Sequence, residues 1–279
     1  MSRTTDSADR LQTPASRDPA VGEIPWSHTD PFPQLLPGEV HLWSTTLDTG
    51  PERIRYLESL MDRHEMRRAA RYRVELSRQR FICARGILKE LLGRYAAVEP
   101  DRISFKLGNL GKPYLPDHIS SDLQFNSTDT RHEAVFAFCR SAEIGVDIEF
   151  LTRKVRHREI AQRKFSSQEH EQYLKHAPSQ QKRFFLKIWT RKEAYGKARG
   201  VGIRYRLNSV NLVDDAGSDR FAIRDEIGAI WEVVQFFREP DITASVVIAG
   251  TGWQFRRFRL PDAASVPQRS QSPVDRDTM

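Results

Sequence analysis

Apolar residues follow two different spacings along this chain, and the switches between them mark the elements. Val40-His41-Leu42-Trp43-Ser44 is a short β-like run after Gly38. From 52 to about 97 the spacing turns helical. Ile54, Leu57, Leu60 and Met61 form one stripe; Phe81, Ala84, Ile87, Leu88, Leu91 and Leu92 form a second, stronger one. Ile103-Ser104-Phe105-Lys106-Leu107 alternates as a strand does, and Gly108-Asn109-Leu110-Gly111 predicts a turn. Leu123-Gln124-Phe125-Asn126 and Ala134-Val135-Phe136-Ala137-Phe138 predict two further strands. Ile144-Gly145-Val146-Asp147-Ile148-Glu149-Phe150 then opens a second cycle. Helices are expected over 157–165, 167–175 and 179–199, and strands over 210–213, 220–223, 230–236 and 243–249.

Strand, helices, strands therefore occurs twice, which predicts an α+β fold of two similar lobes, 38–140 and 141–261. The flanks differ. Residues 1–37 hold six of the fifteen prolines and few periodic apolar positions, and 262–279 are similar, so both read as disordered tails.

Of the 279 residues 39% are hydrophobic, enough for a sizeable core and too many for a wholly disordered chain. No apolar run approaches the length that spans a bilayer, and no secretory signal pattern opens the chain, so no membrane association is expected. Two cysteines, Cys83 and Cys139, make neither a disulfide framework nor a zinc pattern and predict buried thiols in a reducing cytoplasm. The net charge is +7, and both tails are slightly acidic, so the segment 38–261 carries a larger excess. Such a body favours acidic partners. Residues 62–94 concentrate it, with ten Lys and Arg against four acidic residues. This stretch is either a solvated helix face or a docking surface for acidic proteins or phosphates. It lacks the interleaved aromatics of a nucleic-acid platform. Trp43 and Trp231 sit in apolar β-like surroundings and are expected in the core.

Two constellations carry chemistry. On a strand, Asp147 and Glu149 point to one face while Val146 and Ile148 point to the other. Two adjacent carboxylates are either a solvated face or ligands of a hard divalent cation such as Mg²⁺. Trp189, Glu193 and Lys197 follow one another at four-residue intervals on a helix, and Gly200 and Gly202 come next. Alone, Glu193 and Lys197 are an ordinary ion pair. Together with Asp147 and Glu149 they give three carboxylates and an ammonium, the equipment for handling a phosphate or pyrophosphate.

These residues resemble a family. Gly145-Val146-Asp147-Ile148-Glu149 followed by Trp189-Thr190-Arg191-Lys192-Glu193-Ala194-Tyr195-Gly196-Lys197 resembles the signature of 4′-phosphopantetheinyl transferases, in their larger, two-lobed class. Gly111-Lys112-Pro113 resembles that class's turn beside the adenine, and Arg163-Lys164-Phe165-Ser166 its helix end. The resemblance implies an active site between the lobes and transfer of phosphopantetheine from coenzyme A to a serine of an apo acyl or peptidyl carrier protein, releasing adenosine 3′,5′-bisphosphate. It implies Asp147, Glu149 and Glu193 as Mg²⁺ ligands, and Glu193 and Lys197 as catalytic. Contacts to coenzyme A would come from Arg80, Arg85, Lys112, Pro113, Phe125, Asn126, Lys192 and Lys197. A chain with both lobes is expected to act as a monomer.

One position departs from the pattern. After Phe125 and Asn126 the family carries a histidine that touches the 3′-phosphate, and here Asp129 stands in its place. A carboxylate there repels a phosphate, so Arg131, His132, Arg80 or Arg85 is expected to compensate. Two other functions fit parts of the pattern: a Mg²⁺-dependent nuclease, and a homologue that binds carrier protein or coenzyme A without turnover.

Overall fold

A computed structural model describes residues 31–201, 206–214, 217–237 and 241–260. The first half of the chain runs β1 (Glu39–Thr46), α1 (Pro51–Ser59), α2 (Arg63–Ala69), α3 (Glu75–Ala96), the short strands β2 (Lys106–Leu107) and β3 (Pro113–Tyr114), then β4 (Leu123–Thr130) and β5 (Glu133–Arg140). The second runs β6 (Ile144–Phe150), α4 (His157–Lys164), α5 (Ser167–Lys175), α6 (Pro178–Ala198), β7 (Arg220–Arg224), β8 (Ile230–Phe237), β9 (Ile242–Ala249) and β10 (Gln254–Arg259). One sheet has the order β10-β1-β5-β4 and the other β6-β9-β8-β7. β1 pairs antiparallel with β5 and β6 with β9, and one long helix, α3 or α6, lies between the paired strands in the chain.

The layers stack as helix, sheet, sheet, helix. Trp43, Phe136 and Phe138 pack against Ile82, Leu88 and Leu91 of α3. From the same strands Leu42, Val135 and Ala137 join Val146, Ile148 and Val246 of the second sheet in one apolar cluster. Behind that sheet Ala194, Tyr195 and Ala198 of α6 meet Trp231, Val233 and Val247. Both sheets are thus covered on both faces, which is why several strands read as continuous apolar runs rather than alternations.

The lobes also share a polar device. Asp62 and Glu65 form a capping box at the start of α2, and Ser166 and Glu169 form one at the start of α5. In each, the glutamate also pairs with a buried lysine of the long helix: Lys89 Nζ lies 2.8 Å from Glu65 Oε2, and Lys192 Nζ 2.7 Å from Glu169 Oε2. Each lysine donates onward to a backbone carbonyl, Leu60 O from Lys89 and Leu207 O and Val210 O from Lys192. Each ammonium therefore ties a short helix to a long one, and burial is tolerated because its hydrogens are used.

Four expectations need correction. Residues 31–37 are not a loose tail: Leu35 is buried and Phe32 stacks on Trp43 at 5.1 Å. Prolines there set an extended path that delivers two apolar side chains to the first core. Only Lys106 and Leu107 of the expected strand 103–107 pair, with Pro113 and Tyr114, while Ile103 is buried on its own. Residues 210–213 form no strand, although Val210 and Leu212 are core residues. A strand was missed at β10 (Gln254–Arg259), which lies within the segment assigned to the second lobe but pairs in parallel with β1 of the first. The expected tail segments 1–30 and 262–279, and Gly202, lie outside the described residues.

Cys83 and Cys139 are buried and free, and burial pushes their thiols up to about 11 and about 12. Trp43 and Trp231 are in the core as expected.

Candidate active site

The site is built where β6 meets α6. Val146 and Ile148 join the apolar layer between the sheets, which turns Gly145, Asp147 and Glu149 toward α6. Gly145 makes the approach possible: a Cβ there would meet the carbonyl oxygen of Ala194 at 2.0 Å and the amide nitrogen of Ala198 at 2.4 Å. Only a residue without a side chain lets the helix backbone lie this close, and that closeness brings Glu193 and Lys197 over the strand.

Lys197 Nζ donates to Asp147 Oδ1 at 2.8 Å and to the Val146 carbonyl at 3.0 Å. The first lobe reaches in through β4. Thr128 Oγ1 donates to Asp147 Oδ1 at 3.3 Å, and Asn126 Oδ1 accepts from Val146 N at 3.0 Å. The carboxylate strand is thus held from both lobes. Glu149 pairs with Arg153, four residues on.

Two acceptors are left over. Asp147 Oδ2 and Glu193 Oε1 are buried without a hydrogen-bond partner among the described residues. Burial pushes the Glu193 carboxyl up to about 7; Asp147 adds to the rise, and Lys197, Lys164 and Arg153 oppose it. Buried, unpaired carboxylate oxygens of like charge are costly unless a cation or proton joins them. The donor set therefore suits a hard cation. As the side chains stand, however, no three acidic, histidine or cysteine residues among those described are gathered to hold a metal ion, and Glu149 is paired with Arg153.

A second feature lies on the first lobe. His64, Arg67, Arg68 and Arg71 line a cavity of about 350 Å³. Asp129 has an exposed edge, yet the protein around it desolvates its carboxyl and raises its pKa, with Lys197 and Arg68 pulling the other way. A cavity lined by three arginines and a histidine gives this face of the first lobe a positive potential that favours anions.

Comparison with known proteins decides the kinship. The model of the 4′-phosphopantetheinyl transferase superfamily matches residues 143–247, which span β6 through most of β9. The transferase HetI of Nostoc is 33% identical over 231 residues, covering 82% of this chain and 95% of its own. The chain belongs to the 4′-phosphopantetheinyl transferase superfamily. Sfp of Bacillus subtilis is 30% identical over 126 residues, 45% of this chain and 54% of Sfp. A holo-(acyl-carrier-protein) synthase of Bacillus anthracis, solved with coenzyme A, matches 38% of this chain and 94% of its own at 21% identity and a TM-score of 0.28, too slight a likeness to bear on the site. The chain is an enzyme of the larger, two-lobed class, and this kinship sets the nuclease reading aside.

Several of the residues expected to contact the coenzyme are engaged within the protein. Lys192 is fully buried in its pair with Glu169, so it reaches no phosphate; the i,i+1 neighbour of Glu193 necessarily faces another side of the helix. Phe125 is a core residue packed on Phe105 at 5.6 Å. The Asn126 carbonyl is spent on Val146. Lys112 crosses between lobes and donates to Ala198 O at 2.8 Å and Ile144 O at 3.2 Å, so it caps the C-terminal end of α6. Pro113 is half-buried in β3, beside that lysine. Arg80 pairs with Asp48 through two hydrogen bonds of 2.8 and 3.0 Å. Arg85 lies 3.4 Å from Glu65 and over the Phe105 ring. The expected compensators of Asp129 are also engaged: Arg131 and His132 both lie against Phe150. Arg68 and Lys197 are the cations that pull the Asp129 pKa down against its desolvation.

Thr128, Arg153 and Arg68 were not anticipated at the site. Thr128 lies in the segment of Phe125, Asn126 and Asp129, and Arg68 in the basic stretch 62–94, but their spacing does not single them out from their neighbours.

Proposed function

We propose that this transferase moves the 4′-phosphopantetheine arm of coenzyme A onto a serine of an apo acyl or peptidyl carrier protein, with Mg²⁺, at the junction of β4, β6 and α6. The observation that carries the proposal is the pair of buried, unpartnered oxygens, Asp147 Oδ2 and Glu193 Oε1, beside Lys197. Asp147, Glu193 and Glu149 would hold Mg²⁺, which supplies charge neutralisation at a pyrophosphate; Arg153 must release Glu149 for that.

The chain's own groups account for the rest. Lys197, anchored on Asp147 and on the Val146 carbonyl, keeps an ammonium fixed beside the phosphate under attack. Glu193, directly or through water, takes the proton from the serine hydroxyl. The serine oxygen then bonds to phosphorus as the bond to the leaving phosphate breaks, releasing adenosine 3′,5′-bisphosphate. The cationic cavity around Arg67, Arg68 and Arg71 supports recognition of coenzyme phosphates or of an acidic carrier protein. The two buried, free thiols support a cytoplasmic setting, and two lobes that both contribute to one site support action as a monomer.

The test is incubation with coenzyme A, Mg²⁺ and a panel of apo carrier proteins, read by mass spectrometry. A gain of one phosphopantetheine on the carrier serine is expected. Tight binding of coenzyme A or carrier with no mass gain on any carrier would favour a homologue that binds without turnover.

A further inference from the structure

A cavity of about 450 Å³ opens on the second lobe. Its α6 lining, Gln180, Arg183, Phe184, Lys187, Ile188 and Arg191, forms a single stripe at i, i+3, i+4, i+7, i+8 and i+11. Arg191 and Glu193 are two positions apart and so face nearly opposite sides of the helix. The cavity and the active site therefore share α6 without sharing a face.

Arg191 is 2% exposed. Its Nε donates to Gln235 Oε1 and its Nη1 to the Leu212 carbonyl, each at 2.9 Å. Its Nη2 is buried and has no hydrogen-bond partner among the described residues. Asp219 Oδ1 lies 3.9 Å from it, beyond hydrogen-bond reach, and accepts from Lys187 Nζ at 2.8 Å instead. A buried guanidinium with an unused donor is expensive, and here it lines a cavity. The walls near it are apolar, from Leu151, Phe184 and Ile188. Arg183, Lys187 and Arg191 outnumber Asp214, the one acidic residue among those lining the cavity.

We propose that this cavity is a second binding site, for a small organic anion whose oxyanion head meets Arg191 Nη2 and Lys187 and whose apolar body lies along Phe184, Ile188 and Leu151. The volume suits a molecule of that size. The fixed, planar guanidinium suits a carboxylate or a phosphate head. The site is independent of the transfer reaction and stands whatever the active site does.

The experiment is calorimetric titration of the full chain with octanoate and octyl phosphate, with octan-1-ol and acetate as controls. One amphiphile at least is expected to bind with a Kd below ~1 mM, and the tighter of the two identifies the head. Octan-1-ol, which lacks the charge, and acetate, which lacks the body, should each bind at least tenfold more weakly. Lys187→Met should weaken the amphiphile at least tenfold and Arg191→Met should abolish its binding. Lys187 is only half-buried, so its variant keeps the proposal testable if Arg191→Met does not fold. Lys197→Met, in the active site, should leave the affinity unchanged. No binding of either amphiphile, equal binding of a control, an unchanged Lys187→Met, or loss of binding in Lys197→Met would each overturn the proposal.

Discussion

Gly145 lies so close beneath Ala194 that a single added methyl group would come within 2.0 Å of the Ala194 carbonyl oxygen. Backbone cannot yield as a side-chain tip does. Gly145→Ala should therefore push α6 off β6, at a cost above ~3 kcal/mol, and should separate Lys197 from Asp147. Urea denaturation gives the first effect. Loss of transfer by whatever fraction remains folded gives the second.

Glu193 makes stability depend on pH. Its carboxyl ordinarily titrates at 4.5 and in the fold is pushed up to about 7, mainly by burial and then by Asp147. The folded state thus binds a proton more tightly than the unfolded chain. Its contribution is fully favourable below 4.5 and is lost as pH rises to about 7. Without metal, Glu193→Gln should raise the Tm at pH 8, by the equivalent of on the order of 1–3 kcal/mol, and should change little at pH 4. The same variant should lose nearly all transfer. Added Mg²⁺ should raise the Tm of the wild type at pH 8 and raise that of Glu193→Gln much less.

Lys192 and Glu169 form a buried pair with several backbone partners, and Glu169 also accepts from Leu212 N and Ser166 N. Lys192→Met leaves that carboxylate buried and unbalanced, so a cost of about 3–5 kcal/mol is expected. The KM for coenzyme A of the folded remainder should change less than about twofold, since the interaction lost makes no contact with a bound ligand. A large rise in KM with unchanged stability would return Lys192 to the coenzyme site. Denaturation curves and initial rates at varied coenzyme A together decide it.

Asp129 sits under the influence of Lys197 and Arg68. If this edge of β4 receives the 3′-phosphate of coenzyme A, Asp129→His removes a repulsion and adds a donor. The ratio of kcat/KM for coenzyme A over 3′-dephospho-coenzyme A should then rise, on the order of tenfold for about 1.4 kcal/mol. An unchanged ratio would place the 3′-phosphate elsewhere.

The sequence by itself determined the elements whose period is strong and local. The stripes of α3 and α6, the apolar strands β5 and β6, and the facing of Asp147 and Glu149 follow from helical and strand spacing alone. The signature around Gly145 and Glu193 was likewise local, so the family was legible. Tertiary structure decided what depends on distant segments. The strand β10 has only weak alternation of its own, and its place is fixed by a parallel partner two hundred residues earlier in the chain, His41 facing Arg256. Phe32 and Leu35 show no period, and become core only because Trp43 and the first core lie in their path. Lys112, Asn126 and Lys192 read as ligand contacts by motif, yet each finds backbone groups to satisfy once the lobes are packed. Periodicity records which face a side chain takes along its own element. Which donor meets which acceptor across lobes is set by packing, because burial obliges every polar group to find a partner wherever the fold supplies one.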